Sequence, residues 1–203
     1  MVNKFFGGDT MTAAVAASRL GSKVGYITRV GNDYLKDFLL DAWQSENLDI
    51  SQIKLTEGSN GLYFIARLQN GAKEFAYYRK KTAATNLSSL DISPDYIKKA
   101  AIVYSTGVTQ SLSISTREAV TTAFKIAKEN GVMVAYDINY TDRLWDVEEA
   151  TAAFEDVLEY IDILFVNIKH DVERLYGQTA PEVFIKKIWD TGVQMVVLRK
   201  GDG

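Results

Sequence analysis

The second half of the sequence alternates short apolar runs with longer amphipathic ones, and this alternation constrains the fold more than any other feature. Nearly all-apolar runs predict strands at residues 102–105, 132–137, 163–166 and 193–198. Amphipathic stretches between them predict helices at residues 115–130, 148–160 and 181–191. Strands that alternate with helices form a parallel sheet with right-handed crossovers, and nearly all-apolar strands are covered on both faces. We therefore predict a doubly wound α/β body.

The first half of the sequence predicts a helix at residues 9–20, a strand at 24–30, a helix at 34–47 and then a β-hairpin. Two β-rich runs, residues 61–68 and 73–79, surround Gln69-Asn70-Gly71-Ala72, and an Asn-Gly pair is typical of a tight hairpin turn. We therefore expect residues 1–203 to form one partial α/β domain, with a hairpin excursion, or lid, at residues 61–80.

Composition excludes several classes of protein. The 23 Lys and Arg residues against 26 Asp and Glu leave a net charge of −3 and form no long basic stripe, so nucleic acid is not an expected partner. The absence of cysteine excludes disulfides and thiolate metal sites, in agreement with a cytoplasmic location. Neither a signal peptide nor an apolar run of about 18 residues is present, so we expect no membrane association.

Polar residues follow three of the predicted parallel strands, and ligands bind at the carboxyl ends of such strands. They are Asp137, Asn139, Thr141, Asp142 and Arg143, then Asn167, Lys169, His170 and Asp171, then Arg199, Lys200, Gly201, Asp202 and Gly203. Any one of them also fits an ordinary polar turn, but together they favour a ligand site. His170 is the sole histidine and lacks a second histidine or cysteine, so we predict no metal-ligand role for it.

The hairpin contributes Tyr63, Tyr77, Tyr78 and Arg79. Aromatic faces beside a guanidinium suit a small polyhydroxylated or carboxylated ligand. The same residues are also compatible with an ordinary β-surface that carries tyrosines.

Several segments resemble a known family. Gly7-Gly8-Asp9-Thr10 before an alanine-rich helix, Arg19-Leu20-Gly21 and Arg29-Val30-Gly31-Asn32-Asp33 resemble the first signature of ribokinase-like carbohydrate kinases. Further segments are similar to the 2-keto-3-deoxygluconate kinase branch of that family: Gly61-Leu62-Tyr63-Phe64, Tyr77-Tyr78-Arg79-Lys80, Ser105-Thr106-Gly107 and Asp137-Ile138-Asn139 running to Leu144-Trp145. Together these segments span nearly the whole chain.

The resemblance implies a ribokinase-like, Rossmann-like doubly wound parallel sheet with a small β-sheet lid that often mediates dimerisation. It implies transfer of the ATP γ-phosphoryl group to a sugar hydroxyl with Mg²⁺, in a cytoplasmic homodimer. The residues that it assigns to the sugar substrate are Gly8, Asp9, Tyr63, Tyr77, Arg79 and Asn139. The residues that it assigns to the nucleotide, phosphate and Mg²⁺ network are Asn167, Asp171, Arg199 and Gly201, none of them as a direct metal ligand.

Three positions depart from the family pattern. Thr12 stands where the first signature has Asn, and Thr141 stands where the keto-deoxygluconate branch has Arg, which weakens the expected recognition of a carboxylate. The family's Asn-x-x-Glu motif becomes Asn167 followed by His170 and Asp171. Either residue could replace the Glu, and we favour Asp171 because it keeps a carboxylate.

The family's second signature, a Gly-Ala-Gly-Asp turn that carries the catalytic base, does not occur in the sequence. We therefore expect the base to lie beyond Gly203 and the first strand before Met1, which would make this chain an inactive fragment of a sugar kinase. The alternative is a non-catalytic fragment that binds a sugar or dimerises through the lid. A Rossmann oxidoreductase is disfavoured because no Gly-x-Gly-x-x-Gly follows a strand.

Overall fold

In the computed structural model, which describes residues 4–67, 71, 73–177 and 180–200, the chain divides into two compact units. The first unit is Met1–Leu87 and the second is Ser88–Gly203. The organisation into one α/β domain stays a prediction, and each unit is described below by itself. None of the helices among the described residues combines the length and the apolar character that a membrane span requires.

The first unit begins with a helix whose start and end are both set by glycine. Gly8 precedes it with φ 136° and ψ 153°, a conformation open to glycine but not to other residues. Gly21 follows it with φ 94°. The elements of this unit are α1 (Asp9–Arg19), β1 (Val24–Gly25), β2 (Thr28–Gly31), α2 (Lys36–Ser45), β3 (Leu48–Asp49), β4 (Ile53–Thr56), β5 (Leu62–Arg67) and β6 (Lys73–Tyr78).

The predicted strand at residues 24–30 is interrupted in the structure. β1 pairs in parallel with β3, and β2 pairs in parallel with β4. The sequence analysis missed β3 and β4 because strands of two and four residues are too short to show an alternating pattern. The small core of this unit joins α1 to these strands and to α2 through Met11, Ala14, Val15, Val30, Trp43 and Leu48.

The predicted hairpin is confirmed. β5 and β6 pair antiparallel from Leu62 opposite Tyr78 to Arg67 opposite Lys73. The turn residues 68–70 and 72 lie outside the described residues. Large apolar side chains are exposed on both faces of this ribbon, with Leu62, Phe64 and Tyr78 on one face and Tyr63, Ile65 and Tyr77 on the other.

The second unit contains a four-stranded sheet in the order β10-β9-β8-β7, and every neighbouring pair is parallel. The predicted α/β class with a parallel sheet is therefore confirmed, with boundaries that differ by one or two residues. The longer elements are β7 (Ile102–Thr106), α5 (Ile114–Glu129), β8 (Met133–Asp137), α6 (Val147–Leu158), β9 (Ile163–Asn167), α8 (Pro181–Trp189) and β10 (Met195–Arg199). Short helices that the sequence analysis missed are α3 (Pro94–Ile97), α4 (Gly107–Gln110) and α7 (Glu173–Tyr176).

Helix α5 begins at an N-terminal cap that the sequence encodes. The Ser113 hydroxyl accepts a hydrogen bond from the Thr116 amide, and the Thr116 hydroxyl accepts one from the Ser113 amide, which satisfies two free N–H groups at once. The helix then buries Ala119, Phe124 and Ala127. Because β8 and β9 are also buried, the polar residues that end these strands are held on a rigid support.

Candidate functional site

The glycine pair before α1 belongs to the candidate site of the first unit. The Gly8 carbonyl accepts hydrogen bonds from the Thr12 amide at 2.8 Å and from the Thr12 hydroxyl at 2.6 Å. Asp9 is the first residue of α1, where the positive end of the helix dipole favours a negative charge. Thr12, one of the departures from the family pattern, therefore uses its hydroxyl hydrogen within its own helix.

The hairpin residues predicted to contact a sugar lie next to each other and next to Gly7. A Cβ atom at Gly7 would come within 2.6 Å of the Tyr63 hydroxyl, so any larger residue there would displace that hydroxyl. The rings of Tyr63 and Tyr77 lie 6.0 Å apart, and the Arg79 guanidinium lies 4.9 Å from the centre of the Tyr77 ring. The structure thus connects the glycine pair to Arg79 through two tyrosines.

This arrangement of the first unit offers two kinds of contact to a small ligand. Tyrosine rings cover the apolar face of a sugar, and their hydroxyls exchange hydrogen bonds with its hydroxyls. The Arg79 guanidinium can donate two parallel hydrogen bonds to a carboxylate, which a lysine could not do. Tyr63 and Tyr77 are 39% and 41% exposed, so both are accessible to such a ligand.

The other unit has a candidate site of its own, where three adjacent parallel strands end. Asp137 ends β8, Asn167 ends β9 and Arg199 ends β10, and Arg199 is directly opposite Asn167. The Arg199 guanidinium donates a hydrogen bond to Asp137 Oδ1 at 2.6 Å. It also lies 3.9 Å from Asp171 Oδ2. The sequence analysis placed these residues after strands of one parallel sheet, and the register of those strands brings them together.

Asp171 is buried beneath this group of residues, with 1% of its surface exposed. Its two carboxylate oxygens accept hydrogen bonds from the amides of Tyr140 at 2.9 Å and Asn167 at 2.6 Å. The segment Ile168–Val172 forms a single π-helical turn, in which the Asn167 side chain accepts a hydrogen bond from the His170 amide. The side chain of His170 is exposed, whereas the carboxylate of Asp171 orients two stretches of backbone at the strand ends.

The two carboxylates have perturbed proton affinities. Burial raises the pKa of Asp137 from 3.8 to about 6, while the Arg199 guanidinium opposes the rise and the Asp171 carboxylate adds to it. Burial also raises the pKa of Asp171, against the two backbone hydrogen bonds that favour its ionised form. The charge of Asp137 therefore changes around its pKa of about 6.

Asn139 occupies a left-handed backbone conformation, with φ 42°, two residues after β8. Its amide donates to Asp137 Oδ1 at 3.2 Å, and its side chain is half-buried. Residues other than glycine in this region are uncommon, and asparagine is among the few that are enriched there. Gly201, the last residue predicted for the nucleotide side, lies outside the described residues.

A comparison with known proteins identifies the family. A family model described as pfkB family carbohydrate kinase matches residues 1–203. The chain belongs to this family. The resemblance to ribokinase-like carbohydrate kinases is thereby confirmed.

Individual pfkB relatives are similar over nearly the whole chain. The 2-dehydro-3-deoxygluconokinase of Escherichia coli K12 is 32% identical over 210 residues, which cover 98% of this chain and 68% of that protein. The 5-dehydro-2-deoxygluconokinase of Clostridium perfringens strain 13 is 29% identical over 205 residues, which cover 98% of this chain and 60% of that protein. The chain thus spans about three fifths to two thirds of the length of these relatives.

A solved structure extends the comparison to the fold. An Escherichia coli protein described as a ribokinase II, in complex with ATP and Mg²⁺, matches with a TM-score of 0.82 and 26% identity. The match covers 92% of this chain and 59% of that one. The ribokinase-like α/β fold predicted from the sequence is confirmed.

The sequence analysis missed three residues that the structure places in this pfkB chain's polar networks. Asp137 was noted at a strand end but not included among the predicted site residues. Its burial beside Arg199 depends on the register of the strands, which the sequence does not show. Asp33 and Asn60 were not singled out, although they form a hydrogen-bonded pair across 27 residues of sequence.

Proposed function

We propose that this chain is the sugar-binding part of an ATP-dependent kinase that phosphorylates a hydroxyl of a small sugar or keto-sugar acid. The observation that carries the proposal is the series of contacts from Gly7 through Tyr63 and Tyr77 to Arg79. Gly8 and Asp9 at the start of α1 would hold sugar hydroxyls. The contact of Asn139 with the sugar stays a prediction.

The substrate class follows from Arg79 and from the relatives. Both relatives named above are kinases of dehydro-deoxygluconate acids by their names. A charge-assisted hydrogen bond from a guanidinium to a carboxylate is stronger than a neutral one, so Arg79 favours a sugar acid over a neutral sugar. Thr141 cannot supply the second guanidinium expected in the keto-deoxygluconate branch, so we assign the carboxylate to Arg79.

ATP would supply the phosphoryl group, and Mg²⁺ would neutralise charge on its phosphates. Among the described residues, no cluster of three or more acidic, histidine or cysteine side chains could hold a metal ion by itself. Mg²⁺ commonly keeps several waters and binds phosphate oxygens, so it would be bound mainly through the phosphates of ATP.

The residues of the second unit would bind and orient the phosphates. The Arg199 side chain is 44% exposed and can donate to a phosphate oxygen while it remains near Asp137. Asn167 would belong to the phosphate and Mg²⁺ network. Asp171 would hold the Asn167 backbone in place through the 2.6 Å hydrogen bond, and Gly201 would belong to the nucleotide loop. Phosphoryl transfer depends on such positioning and charge neutralisation more than on covalent chemistry by the protein.

One observation favours a second role for the hairpin. Its two faces both expose large apolar side chains, among them Phe64 at 53%, Ile65 at 54% and Tyr78 at 62%. A two-stranded ribbon with an uncovered apolar face is marginally stable in water, so a partner surface would stabilise it. We propose homodimerisation through the hairpin, which a non-catalytic sugar-binding protein could also use. The cytoplasmic location remains a prediction.

The test is an ADP-release assay on the complete gene product with ATP and Mg²⁺. The substrate panel contains pentoses, hexoses, 2-keto-3-deoxy and 5-keto-2-deoxy sugar acids, and nucleosides. We expect turnover of a keto-deoxy acid above that of the neutral sugars. Turnover of a nucleoside alone would contradict the carbohydrate assignment, and sugar binding by calorimetry without turnover would favour the non-catalytic alternative.

A further inference from the structure

The hairpin is joined to the rest of the first unit by two short connections, residues 57–61 before β5 and residues 79–83 after β6, which we call the hairpin root. Asn60 lies in the first connection and is 8% exposed. Its side-chain amide pairs with the Gly31 peptide through two reciprocal hydrogen bonds, Gly31 N to Oδ1 and Nδ2 to Gly31 O, each 3.0 Å long. A buried amide paired in this way fixes the position of the loop against β2.

Asp33 holds the same residue from the other side. Its carboxylate accepts hydrogen bonds from Asn60 Nδ2 and from the Asn60 amide, both at 2.7 Å, and from the Leu35 amide at 2.9 Å. Partial burial opposes ionisation of Asp33, but these hydrogen bonds outweigh it and lower the pKa of the carboxyl. Asn60 therefore uses both side-chain N–H groups, its side-chain oxygen and its backbone amide on β2 and the loop that follows it.

The rest of the hairpin root is packed around this pair. A Cβ atom at Gly31 would lie 2.3 Å from the Gly58 carbonyl, so the backbone of the loop rests directly on β2. On the far side of the hairpin, the amide of the buried Ala83 donates to Ser59 O at 2.9 Å, which ties the two connections together. The Thr82 hydroxyl donates to the carbonyl of Arg79 at 3.1 Å. A displacement of Asn60 would therefore be transmitted to Arg79 through the backbone.

We propose that Asn60, held by Asp33, is a positioning residue that sets the placement of the hairpin arginine and tyrosines against the Gly7-Gly8 turn. The inference rests on the proposed function, because it takes Arg79 and Tyr77 to bind the sugar. Asn60 itself touches no substrate in this scheme. It acts by fixing the hairpin root, so its loss weakens binding of the sugar while it leaves the nucleotide side unaffected.

The variants are Asn60→Ala, which removes all the side-chain hydrogen bonds, and Asn60→Asp, which removes both donors and sets a second carboxylate against Asp33. In the complete gene product, each should raise the KM for the sugar roughly 10- to 100-fold, with the KM for ATP changed less than about twofold. The double variant Asn60→Asp with Asp33→Asn places one donor and one carboxylate back in the pair. It should recover part of the loss, which a merely space-filling role for Asn60 would not predict.

The matched control is Asn32→Ala. Asn32 directly follows Gly31, the last residue of β2. Asn32 is exposed and donates to Glu57 at 2.8 Å, a surface hydrogen bond to the same loop. We expect this variant to leave the KM for the sugar unchanged within about twofold.

Hydrogen exchange supplies a readout that does not need the kinase activity. The Ala83 amide bonds to Ser59 O and not to Asn60, so its exchange reports whether the two connections still meet. It should accelerate about tenfold or more in Asn60→Ala, but not in Asn32→Ala, while exchange in the middle of α1 stays unchanged. If the gene product phosphorylates no sugar, the proposed function fails. The exchange of the Ala83 amide then still tests whether Asn60 holds the hairpin root in place. An unchanged sugar KM together with unchanged Ala83 exchange would overturn the inference even in an active kinase.

Discussion

Replacement of Arg199 by methionine should destabilise the protein at high pH and leave its stability nearly unchanged at low pH. Arg199 is the cation that faces the buried Asp137 carboxylate at 2.6 Å. The pKa of Asp137 is about 6, and this value already includes the lowering effect of the Arg199 guanidinium. Without the guanidinium the pKa rises further, so ionisation of Asp137 in the folded protein becomes more costly.

The sign follows from comparison with the unfolded chain, where the pKa of Asp137 is close to its ordinary value of 3.8. A carboxyl whose folded pKa is raised contributes stability that is complete below about pH 4 and is lost as the pH rises through about 6. At pH 5 Asp137 is mostly protonated with or without Arg199, so the substitution removes only a hydrogen bond, worth about 0.5 to 1 kcal/mol. At pH 8 it leaves a buried carboxylate without its cation.

The magnitude at pH 8 lies between two limits. Removing one partner of a fully buried ion pair costs about 3 to 5 kcal/mol, whereas an exposed pair is worth about 0 to 1. The Asp137 side chain is 10% exposed but that of Arg199 is 44% exposed, so solvent screens part of the interaction. We therefore expect a loss of about 1 to 3 kcal/mol in the free energy of unfolding at pH 8.

The assay is urea unfolding followed by circular dichroism at pH 5, 6, 7 and 8 for the wild type, Arg199→Met, Asp137→Asn and the double variant. The coupling energy between the two positions should be present at pH 8 and nearly absent at pH 5. The control is Arg174→Met, which breaks the 2.9 Å ion pair between Arg174 and Asp142. The Arg174 side chain is as exposed as that of Arg199, but the Asp142 side chain is 64% exposed. That variant should change stability by less than about 0.5 kcal/mol at every pH. An equal effect of Arg199→Met at pH 5 and pH 8 would refute the reasoning.

Three further substitutions test the site and the packing around it. Arg79→Ala should raise the KM for the sugar acid about 10- to 100-fold with the KM for ATP nearly unchanged in steady-state kinetics, whereas an exposed arginine without a ligand would show no change. Gly7→Ala displaces the flexible end of the Tyr63 side chain, so the free energy of unfolding should fall by about 1 kcal/mol or less and the melting temperature by only a few degrees, while the KM for the sugar rises. Gly107→Ala would bring a Cβ atom to 2.2 Å from the Ile138 carbonyl, so calorimetry should show destabilisation by about 2 kcal/mol or more; an unchanged melting temperature would contradict the described packing at the end of β7.

The predictability of the fold differed between the two units for a physical reason. Strands such as Ile163–Asn167 have five residues, of which the first four are apolar, so the apolar run is long enough to predict a strand from sequence. By contrast, β3 (Leu48–Asp49) has two residues, of which only Leu48 is buried, and no pattern of hydrophobicity can mark it. The interruption of the predicted strand at residues 24–30 likewise depends on pairing with β3 and β4, which are distant in sequence.

The candidate site was predictable in its residue types but not in its pairings. Polar residues at the ends of parallel strands must lie on one edge of the sheet, so the approach of Asp137, Asn167 and Arg199 followed from the topology alone. The hydrogen bonds between Asp33 and Asn60 did not follow, because they join two loops through side chains that are equally common in ordinary turns.

A backbone irregularity after β9 bears on the choice between His170 and Asp171, in which the sequence analysis favoured Asp171. In a regular α-helical turn the third residue after Asn167 would face it, and that residue is His170. The segment Ile168–Val172 is instead a π-helical turn, which contains more residues per turn and so shifts the facing position toward the next residue. The backbone amide of His170 reaches the Asn167 side chain at 3.0 Å, while the Asp171 carboxylate reaches the Asn167 amide at 2.6 Å. A motif read at fixed spacing therefore places a histidine where the wider turn places a carboxylate, and the same carboxylate also holds the Tyr140 amide of the neighbouring strand end.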